Sequence, residues 1–180
     1  MVIIIEGPDN VGKSTLIRNI KNHYNKNIIA NLAYSNVKQA TPHEHINYSK
    51  LLYKNMFELC NFQSKVLNNI MILDRSHIGE MVYSPLYRNY SGDYVLDIEK
   101  EFDLSNYFLI TLTDLAENLI DRDDGLSHSI NVSDKNKELE LFLESTTKSL
   151  IKHKFVMNIN GLNITQVFNK VIDFIEYNKG

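Results

Sequence analysis

The feature that most constrains this chain is a glycine-rich loop between a short apolar run and a helix-forming segment. Residues 7–14 read GPDNVGKS and match the pattern G-x-x-x-x-G-K-[ST]. The β-branched run at residues 2–5 predicts a buried strand before the loop, and apolar Leu16, Ile17 and Ile20 predict a helix after it. A loop in this position directs backbone amides and the positive end of the helix at a phosphate group. The sequence therefore predicts a nucleotide-binding loop.

The polar residues of the loop supply the remaining chemistry of nucleotide binding. Lys13 adds a full positive charge beside the β and γ phosphate oxygens, and the Ser14 hydroxyl is placed to bind Mg²⁺. Asp74 ends the apolar run at residues 70–73, where a carboxylate can meet Mg²⁺ or its waters, although an Asp there is otherwise a turn residue. The expected ATP-binding residues are Gly7, Asn10, Val11, Gly12, Lys13, Ser14 and Thr15, and the expected Mg²⁺ ligands are Ser14 and Asp74.

Strand-like and helix-like segments alternate along the whole chain. We expect strands at residues 2–5, 27–34, 70–73, 107–112 and 155–159. We expect helices from 13 to about 24, 42 to 67, beyond 74 to about 88, 94 to 102, 115 to 121, 133 to about 153, and 164 to 177. The sequence Thr41-Pro42-His43-Glu44 has the cap, proline and carboxylate of a helix start, and Ser133 can cap a later helix.

This alternation predicts one α/β domain spanning residues 1–180. The expected architecture is a three-layer αβα sandwich of the P-loop NTPase type, with a five-stranded parallel sheet. The segment at about residues 122–133 carries Gly, Ser, Asp and Asn without periodicity, so we expect a short lid there.

Composition narrows the range of partners. The 180 residues carry 19 Lys and Arg against 22 Asp and Glu, a formal net charge of −3, so no overall field attracts a nucleic-acid polymer or an anionic membrane. The longest strongly apolar run, residues 2–5, is far shorter than a membrane span. The single Cys60 cannot form an internal disulfide and is expected in the core. We expect a reduced, cytoplasmic protein.

Two arginines favour a kinase over other proteins with such a loop. Arg75 directly follows Asp74, and Arg122 begins the polar segment after the fourth expected strand. Phosphoryl transfer must neutralise charge on donor and acceptor while excluding water, which arginines at a strand end and on a lid can do. A surface salt bridge for Arg75 and a helix-end charge for Arg122 are the structural alternatives. The expected catalytic residues are Lys13, Arg75 and Arg122.

Four segments carry a resemblance to thymidylate kinases and deoxynucleoside kinases. EGPDNVGKST at residues 6–15 resembles their opening, and DRSHIGEMVY at 74–83 is similar to their Asp-Arg-Tyr-x-x-Ser-x-x-Ala-Tyr segment. LLYKNMFE at 51–58 is similar to their Leu-Leu-Phe helix, and FLITLTDLAENLIDR at 108–122 to their fourth strand and the helix before the lid arginine.

This resemblance implies specific roles in acceptor binding. Asp9 is expected to approach the sugar 3′-hydroxyl, Tyr53 to stack on the acceptor base, and Arg75 to align the acceptor phosphate. Core packing explains the one-turn spacing of Tyr53 and Phe57 equally well. The acceptor-binding residues under this interpretation are Asp9, Tyr53, Phe57, Arg75 and Tyr83. Related kinases are commonly dimers, which leaves a homodimer open, and the roles of His77, Glu80 and Arg88 are also open.

Departures from the family pattern bear on the acceptor. Phe57 stands where thymidylate kinases carry a base-reading Arg, and Lys38 is the nearest cation to the position of their arginine after the second strand. A nucleoside acceptor would benefit from a general base, yet the first carboxylate after that strand, Glu44, belongs to the expected capping box. An ionised monophosphate needs only positioning cations.

The resulting hypothesis is a nucleoside monophosphate kinase resembling thymidylate kinase. With Mg²⁺ it would transfer the γ-phosphoryl group of ATP to a deoxynucleoside 5′-monophosphate, with dTMP or a related pyrimidine favoured. A deoxynucleoside kinase acting on the 5′-hydroxyl is the nearer alternative, and a non-catalytic nucleotide-binding regulatory module is the more distant one.

Overall fold

Five parallel strands form one sheet in this computed structural model, which describes residues 1–25, 27–31, 41–123, 125, 127 and 129–179. The strand order is β2-β3-β1-β4-β5. The strands are β1 Val2–Glu6, β2 Asn27–Asn31, β3 Ile70–Asp74, β4 Tyr107–Thr113 and β5 His153–Asn158. The predicted α/β fold with a five-stranded parallel sheet is therefore confirmed. Residues 32–34 of the second predicted strand lie outside the described residues.

Helices connect the strands in the predicted order. They are α1 Lys13–His23, α2 Pro42–Asn61, α3 Ile78–Tyr87, α4 Val95–Glu99, α5 Ala116–Asp121, α6 Val132–Lys148 and α7 Ile164–Asn178, and a π-helix at Phe62–Val66 continues α2. The predicted start of α2 is confirmed, because the Thr41 hydroxyl accepts from the Glu44 amide and the Glu44 carboxylate accepts from the Thr41 amide. No described helix has the length and apolar character needed to cross a membrane.

The predicted bounds of α6 are wrong at both ends. Asn131 caps the helix in place of Ser133, since its side-chain oxygen accepts from the Asp134 amide at 2.9 Å. The helix stops at Lys148 rather than near residue 153. Ser149 leaves the helix with extended backbone, and His153 already pairs with β4. The strand therefore begins two residues earlier than predicted.

Two apolar layers cover the sheet. Alternate residues of β1 point to opposite faces, as in any strand. Val2 and Ile4 belong to a core completed by α2, α3, α4 and α6, whereas Ile3 and Ile5 belong to a core completed by α1, α5 and α7. All of these β1 side chains are fully buried, which explains why the run is apolar on both faces. The arrangement is the predicted three-layer αβα sandwich.

The strand register brings the polar strand ends together. Asp74 of β3 pairs with Ile5 of β1, and Thr111 of β4 pairs with Glu6. The segments that follow β1 and β3 therefore start beside each other at the carboxyl edge of the sheet, the edge where open α/β sheets bind ligands.

Candidate active site

The glycine-rich loop joins β1 to α1 at this carboxyl edge. Gly7 has φ of 135°, and a Cβ there would clash with the carbonyl oxygen of Leu112, so a side chain cannot be accommodated. Gly12 caps α1 with φ of 90°, and Asn10 is also left-handed at 65°. These turns curl the loop over the first turn of α1, as a phosphate-binding loop requires.

A cavity of about 420 Å³ lies over this loop. The structure brings together here three groups of predicted residues: loop residues, Asp74 and Arg75 at the end of β3, and Arg122 at the start of the predicted lid. The lining consists of Asp9, Asn10, Gly12, Lys13, Ser14, Thr15, Asp74, Arg75 and Arg122. Two predicted loop residues do not line this cavity. Gly7 is buried, and Val11 lines a neighbouring apolar cavity. We call this space the phosphate cavity.

Lys13 is folded back onto the loop that carries it. Its Nζ donates to the carbonyl oxygens of Gly7 at 3.1 Å and Pro8 at 2.6 Å. Burial, together with the nearby positive charge of Arg75, lowers the pKa of Lys13 to about 7. A bound polyanion would favour the charged form of this amine.

Arg75 is fixed at the centre of the site by its backbone and its side chain. Its φ is 66°, a left-handed conformation that bulky residues rarely adopt. Its guanidinium donates to the Gly7 carbonyl at 2.9 Å and to the Tyr83 hydroxyl at 3.0 Å, and it forms an ion pair with Asp9. Burial opposes its charge, but Tyr83 and Asp9 raise the pKa of Arg75, so the group stays cationic.

A second, smaller cavity of about 60 Å³ opens on the other side of Arg75. Its lining comes from α2, the segment after β3, and α3: Leu52, Tyr53, Arg75, Ser76, Gly79, Glu80, Tyr83 and Arg88. We call it the acceptor cavity, because Tyr53, Arg75 and Tyr83 in its lining are among the residues predicted to bind the acceptor. The structure thus brings Tyr53 and Tyr83 to it, with Arg75 shared between the two cavities.

Phe57 is not brought to either cavity. Its side chain is 0% exposed and stacks on Phe102 with ring centroids 5.2 Å apart. For Phe57, the structure therefore agrees with the alternative given above, which is packing in the core rather than contact with the acceptor base. Cys60, one turn further along α2, is buried as predicted. Lys38 lies outside the described residues.

Glu80 and Arg88 form a polar cluster that the sequence analysis left unassigned. The Glu80 carboxylate accepts from the Arg88 guanidinium at 2.7 Å and from the hydroxyls of Tyr90 and Tyr94 at 2.8 Å each. Glu80 is buried, and both charged groups line the acceptor cavity. No local spacing rule predicts this pair, because neighbouring side chains on a helix are three or four residues apart rather than eight.

His77 and Glu6 are buried supports of the segment after β3. The His77 ring contacts the Ser76 hydroxyl at 2.8 Å and the Glu99 carboxylate at 2.6 Å. One oxygen of Glu6 accepts from the amides of Ser76 at 2.7 Å and Gly79 at 3.4 Å. Burial raises the pKa of Glu6 above its ordinary value. Both residues contact lining residues of the acceptor cavity: His77 contacts Ser76, and Glu6 contacts Ser76 and Gly79.

Arg122 stands between the phosphate cavity and a neighbouring apolar cavity of about 280 Å³. Its guanidinium pairs with Asp114 and donates from Nε to the Asn118 carbonyl at 2.8 Å. The apolar cavity is lined by Asn10, Val11, Gly12, Thr15, Leu16, Leu112, Arg122, Ile159, Leu162, Ile164 and Val167. We call it the apolar cavity.

The loop also contacts the predicted lid. The Asn10 side-chain amide donates to Asp123 at 3.2 Å and to the Ser127 hydroxyl at 3.1 Å. The glycine-rich loop and the segment after α5 are therefore linked directly in this structure.

The donor set fits Mg²⁺ held jointly with phosphate oxygens. Ser14 and Asp74 both line the phosphate cavity and offer the hydroxyl and carboxylate oxygens that this ion accepts. Within the described part of the chain, no group of three His, Cys, Asp or Glu side chains could hold a metal alone. Mg²⁺ commonly binds through one or two protein oxygens plus substrate phosphates, so this limited set is sufficient.

Solved structures share this fold at low sequence identity. The YorR protein from Bacillus subtilis, in complex with phosphorylated GDP, is 17% identical, with a TM-score of 0.71 over 98% of this chain and 96% of that one. Thymidylate kinase from Candida albicans is 20% identical, with a TM-score of 0.63 over 99% and 92%. Deoxyadenosine kinase from M. mycoides, with bound dCTP, is 18% identical, with a TM-score of 0.55 over 98% and 100%.

Family comparison agrees with the fold and the loop. No curated protein matches the sequence. The family model described as AAA domain matches residues 2–154, which include strands β1 to β4 in full and only the first two residues of β5. The chain therefore belongs to the AAA domain family and has the P-loop NTPase-like fold of these solved structures.

Proposed function

We propose that this protein is a nucleoside monophosphate kinase that transfers the γ-phosphoryl group of ATP to a deoxynucleoside 5′-monophosphate, with dTMP or a related pyrimidine favoured. The observation that carries the proposal is the position of Arg75, which lines both the phosphate cavity and the acceptor cavity. A cation shared by two nucleotide sites can neutralise the donor and the acceptor phosphates at the point where they meet.

The donor side is supported by three adjoining features. The loop amides and Lys13 would hold the triphosphate, and the apolar cavity beside Arg122 would take the base of the donor nucleotide. Arg122, at the border of the two cavities, would approach the transferring group. Mg²⁺ held by Ser14 and Asp74 would neutralise charge on the donor phosphates.

The acceptor side is supported by the groups around Arg75. Arg75 would align the acceptor phosphate, and Asp9, which pairs with Arg75 and lines the phosphate cavity, would meet the sugar. Tyr53 offers an aromatic face in the acceptor cavity, and Arg88 provides a second cation there. Because a monophosphate is an ionised nucleophile, these cations position it without a general base.

A second candidate, a deoxynucleoside kinase, is favoured by Glu80. A 5′-hydroxyl acceptor benefits from a general base, and the buried Glu80 carboxylate lines the acceptor cavity. Glu80 already accepts hydrogen bonds from Arg88, Tyr90 and Tyr94, which leaves little acceptor capacity for a substrate proton. The monophosphate acceptor is therefore preferred.

The test is ADP release in a coupled assay with ATP and Mg²⁺. The panel contains the deoxynucleoside 5′-monophosphates and the corresponding deoxynucleosides, with GTP as a second donor because the YorR structure holds a guanine nucleotide. We expect turnover with at least one pyrimidine monophosphate. Turnover with nucleosides alone would replace the proposal by the second candidate, and nucleotide binding without any turnover would replace both by a regulatory module.

A further inference from the structure

A row of hydrogen bonds leads from the partly exposed Arg75, through the half-buried Tyr83, to a fully buried charged pair on helix α6. Arg75 Nη1 donates to the Tyr83 hydroxyl at 3.0 Å, and that hydroxyl donates to Glu138 Oε1 at 2.9 Å. Lys135 Nζ donates to Glu138 Oε2 at 3.0 Å. We call these four residues the hydrogen-bond row. Glu138 and Lys135 lie in the first two turns of α6.

The direction of each bond in the hydrogen-bond row is fixed by chemistry. A guanidinium and an ammonium can only donate, and an ionised carboxylate can only accept. Tyr83 has one proton, and burial raises its pKa well above the ordinary value, so the proton stays on the oxygen. With that proton directed at Glu138, the lone pairs of the Tyr83 oxygen face Arg75. The carboxylate of Glu138 thus sets the orientation of the Tyr83 hydroxyl, which accepts the hydrogen bond from Arg75.

Stability alone does not explain the charged end of the hydrogen-bond row. Lys135 and Glu138 are each 1% exposed, and removing two charges from water is expensive. Well-packed apolar residues at both positions would serve the fold equally well. Tyr83 joins this buried pair to Arg75, the cation that lines both cavities. The pair is therefore placed to act on the position of Arg75.

We propose that Glu138 is a positioning residue for Arg75, acting through Tyr83 and with Lys135 as its counter-ion. It holds the guanidinium in the orientation that lets one side chain face both the phosphate cavity and the acceptor cavity. The kinetic consequences rest on the proposed function, whereas the effect on the Arg75 guanidinium does not.

The double variant Lys135→Met/Glu138→Leu separates positioning from support of the fold. It removes both charges together, so neither is left buried without its partner. We expect unfolding in urea close to wild type, kcat with ATP and dTMP lower by about tenfold, and KM for ATP unchanged, as when a hydrogen bond to a charged group is lost. Glu144→Gln is the matched control, because Glu144 lies on the same helix in an exposed pair with Lys148. Wild-type kcat in a folded double variant would overturn the proposal.

A second set of variants applies if the double variant does not fold. Tyr83→Phe removes only the hydroxyl, and Glu138→Gln replaces the carboxylate by a neutral amide of the same size, with one acceptor oxygen exchanged for a donor. We expect each to lower kcat by about tenfold and the combination to lower it no further, since both break the same link to Arg75. Independent, multiplying losses would mean that Glu138 does not act through Tyr83 and would overturn the proposal.

An NMR measurement on the free protein tests the hydrogen-bond row without any substrate. The guanidinium proton signals of Arg75 are assigned by their loss in Arg75→Lys. We expect their exchange with water to be faster in Glu138→Gln than in wild type and unchanged in Glu144→Gln. Unchanged exchange in Glu138→Gln would overturn the proposal. Faster exchange in a protein that phosphorylates no acceptor would support the hydrogen-bond row while contradicting the proposed function.

Discussion

The guanidinium of Arg75 donates a hydrogen bond to the carbonyl oxygen of Gly7 across a distance of 2.9 Å. This contact joins the segment after β3 to the phosphate loop after β1, so the two halves of the site have a fixed spacing. Because Arg75 also reaches Tyr83 and Asp9, its position is determined from three directions.

Two replacements of Arg75, by glycine and by alanine, should differ in the free energy of unfolding but not in the loss of phosphoryl transfer. Glycine adopts φ of 66° without penalty, whereas alanine does not, so Arg75→Gly should be more stable than Arg75→Ala by about 1 kcal/mol. Both variants should lose transfer by about 10²-fold to 10³-fold, because both lack the cation shared by the two cavities. Urea unfolding and ADP release measure the two effects.

Arg18 provides the matched control for this comparison. It is exposed on helix α1, where alanine is preferred over glycine by about 1 kcal/mol. The order of stability should therefore be reversed at Arg18, with activity retained in both variants. The same order of stability at both positions would contradict the strained conformation of Arg75.

Lys13→Met should abolish phosphoryl transfer with little effect on folding. Methionine keeps the apolar stem of the buried side chain but removes the charge beside the donor phosphates. We expect kcat to fall by about 10²-fold to 10³-fold, the size seen for single electrostatic groups. Lys21→Met, at an exposed site on the same helix, should leave kcat unchanged. Near-normal turnover in Lys13→Met would rule out its catalytic role.

Glu6 should make the protein less stable as the pH rises. Its pKa is raised in the folded protein by burial, so the folded state keeps a proton that the unfolded chain releases above its value of 4.5. The stabilisation is present below that pH and declines as pH rises toward the folded pKa. Melting temperatures of Glu6→Gln measured from about pH 5 to about pH 8 should depend less on pH than those of wild type.

Glu44→Gln is the control for the pH series. Its hydrogen bonds to Thr41 lower the pKa of Glu44, so its contribution is lost only as the pH falls below the ordinary range of a carboxyl group. Between about pH 5 and about pH 8 its slope should match that of wild type. An unchanged slope in Glu6→Gln would mean that Glu6 is not the group responsible.

Gly92→Ala should destabilise the wall of the acceptor cavity. A Cβ at Gly92 would lie 2.7 Å from the Cα of Met81 and would clash with the backbone of Glu80. Because the helical backbone of Glu80 and Met81 cannot move easily to make room, we expect the free energy of unfolding to fall by about 1–3 kcal/mol. Gly79→Ala, inside α3 with its nearest contact at 3.6 Å, should be neutral or stabilising. Equal effects at both sites in urea unfolding would contradict the close packing of Gly92.

The sequence by itself determined those features that are encoded within a few neighbouring residues. The loop at residues 7–14, the Thr41 cap and the alternation of five strands each follow from local chemistry and periodicity, and the structure has them in the predicted order, with β5 beginning two residues earlier than predicted. The placement of Asp74 and Arg75 beside the loop was also predictable, because parallel strands end at the same edge of a sheet.

Only the tertiary structure decided which side chains meet across long stretches of chain. The spacing of Tyr53 and Phe57 is that of one helix face, yet Tyr53 lines the acceptor cavity and Phe57 is enclosed by the core. Glu138 lies 55 residues beyond Tyr83, and no local pattern connects them. Contacts of this kind depend on how helices pack on the sheet, since packing fixes side-chain distances that periodicity leaves undetermined.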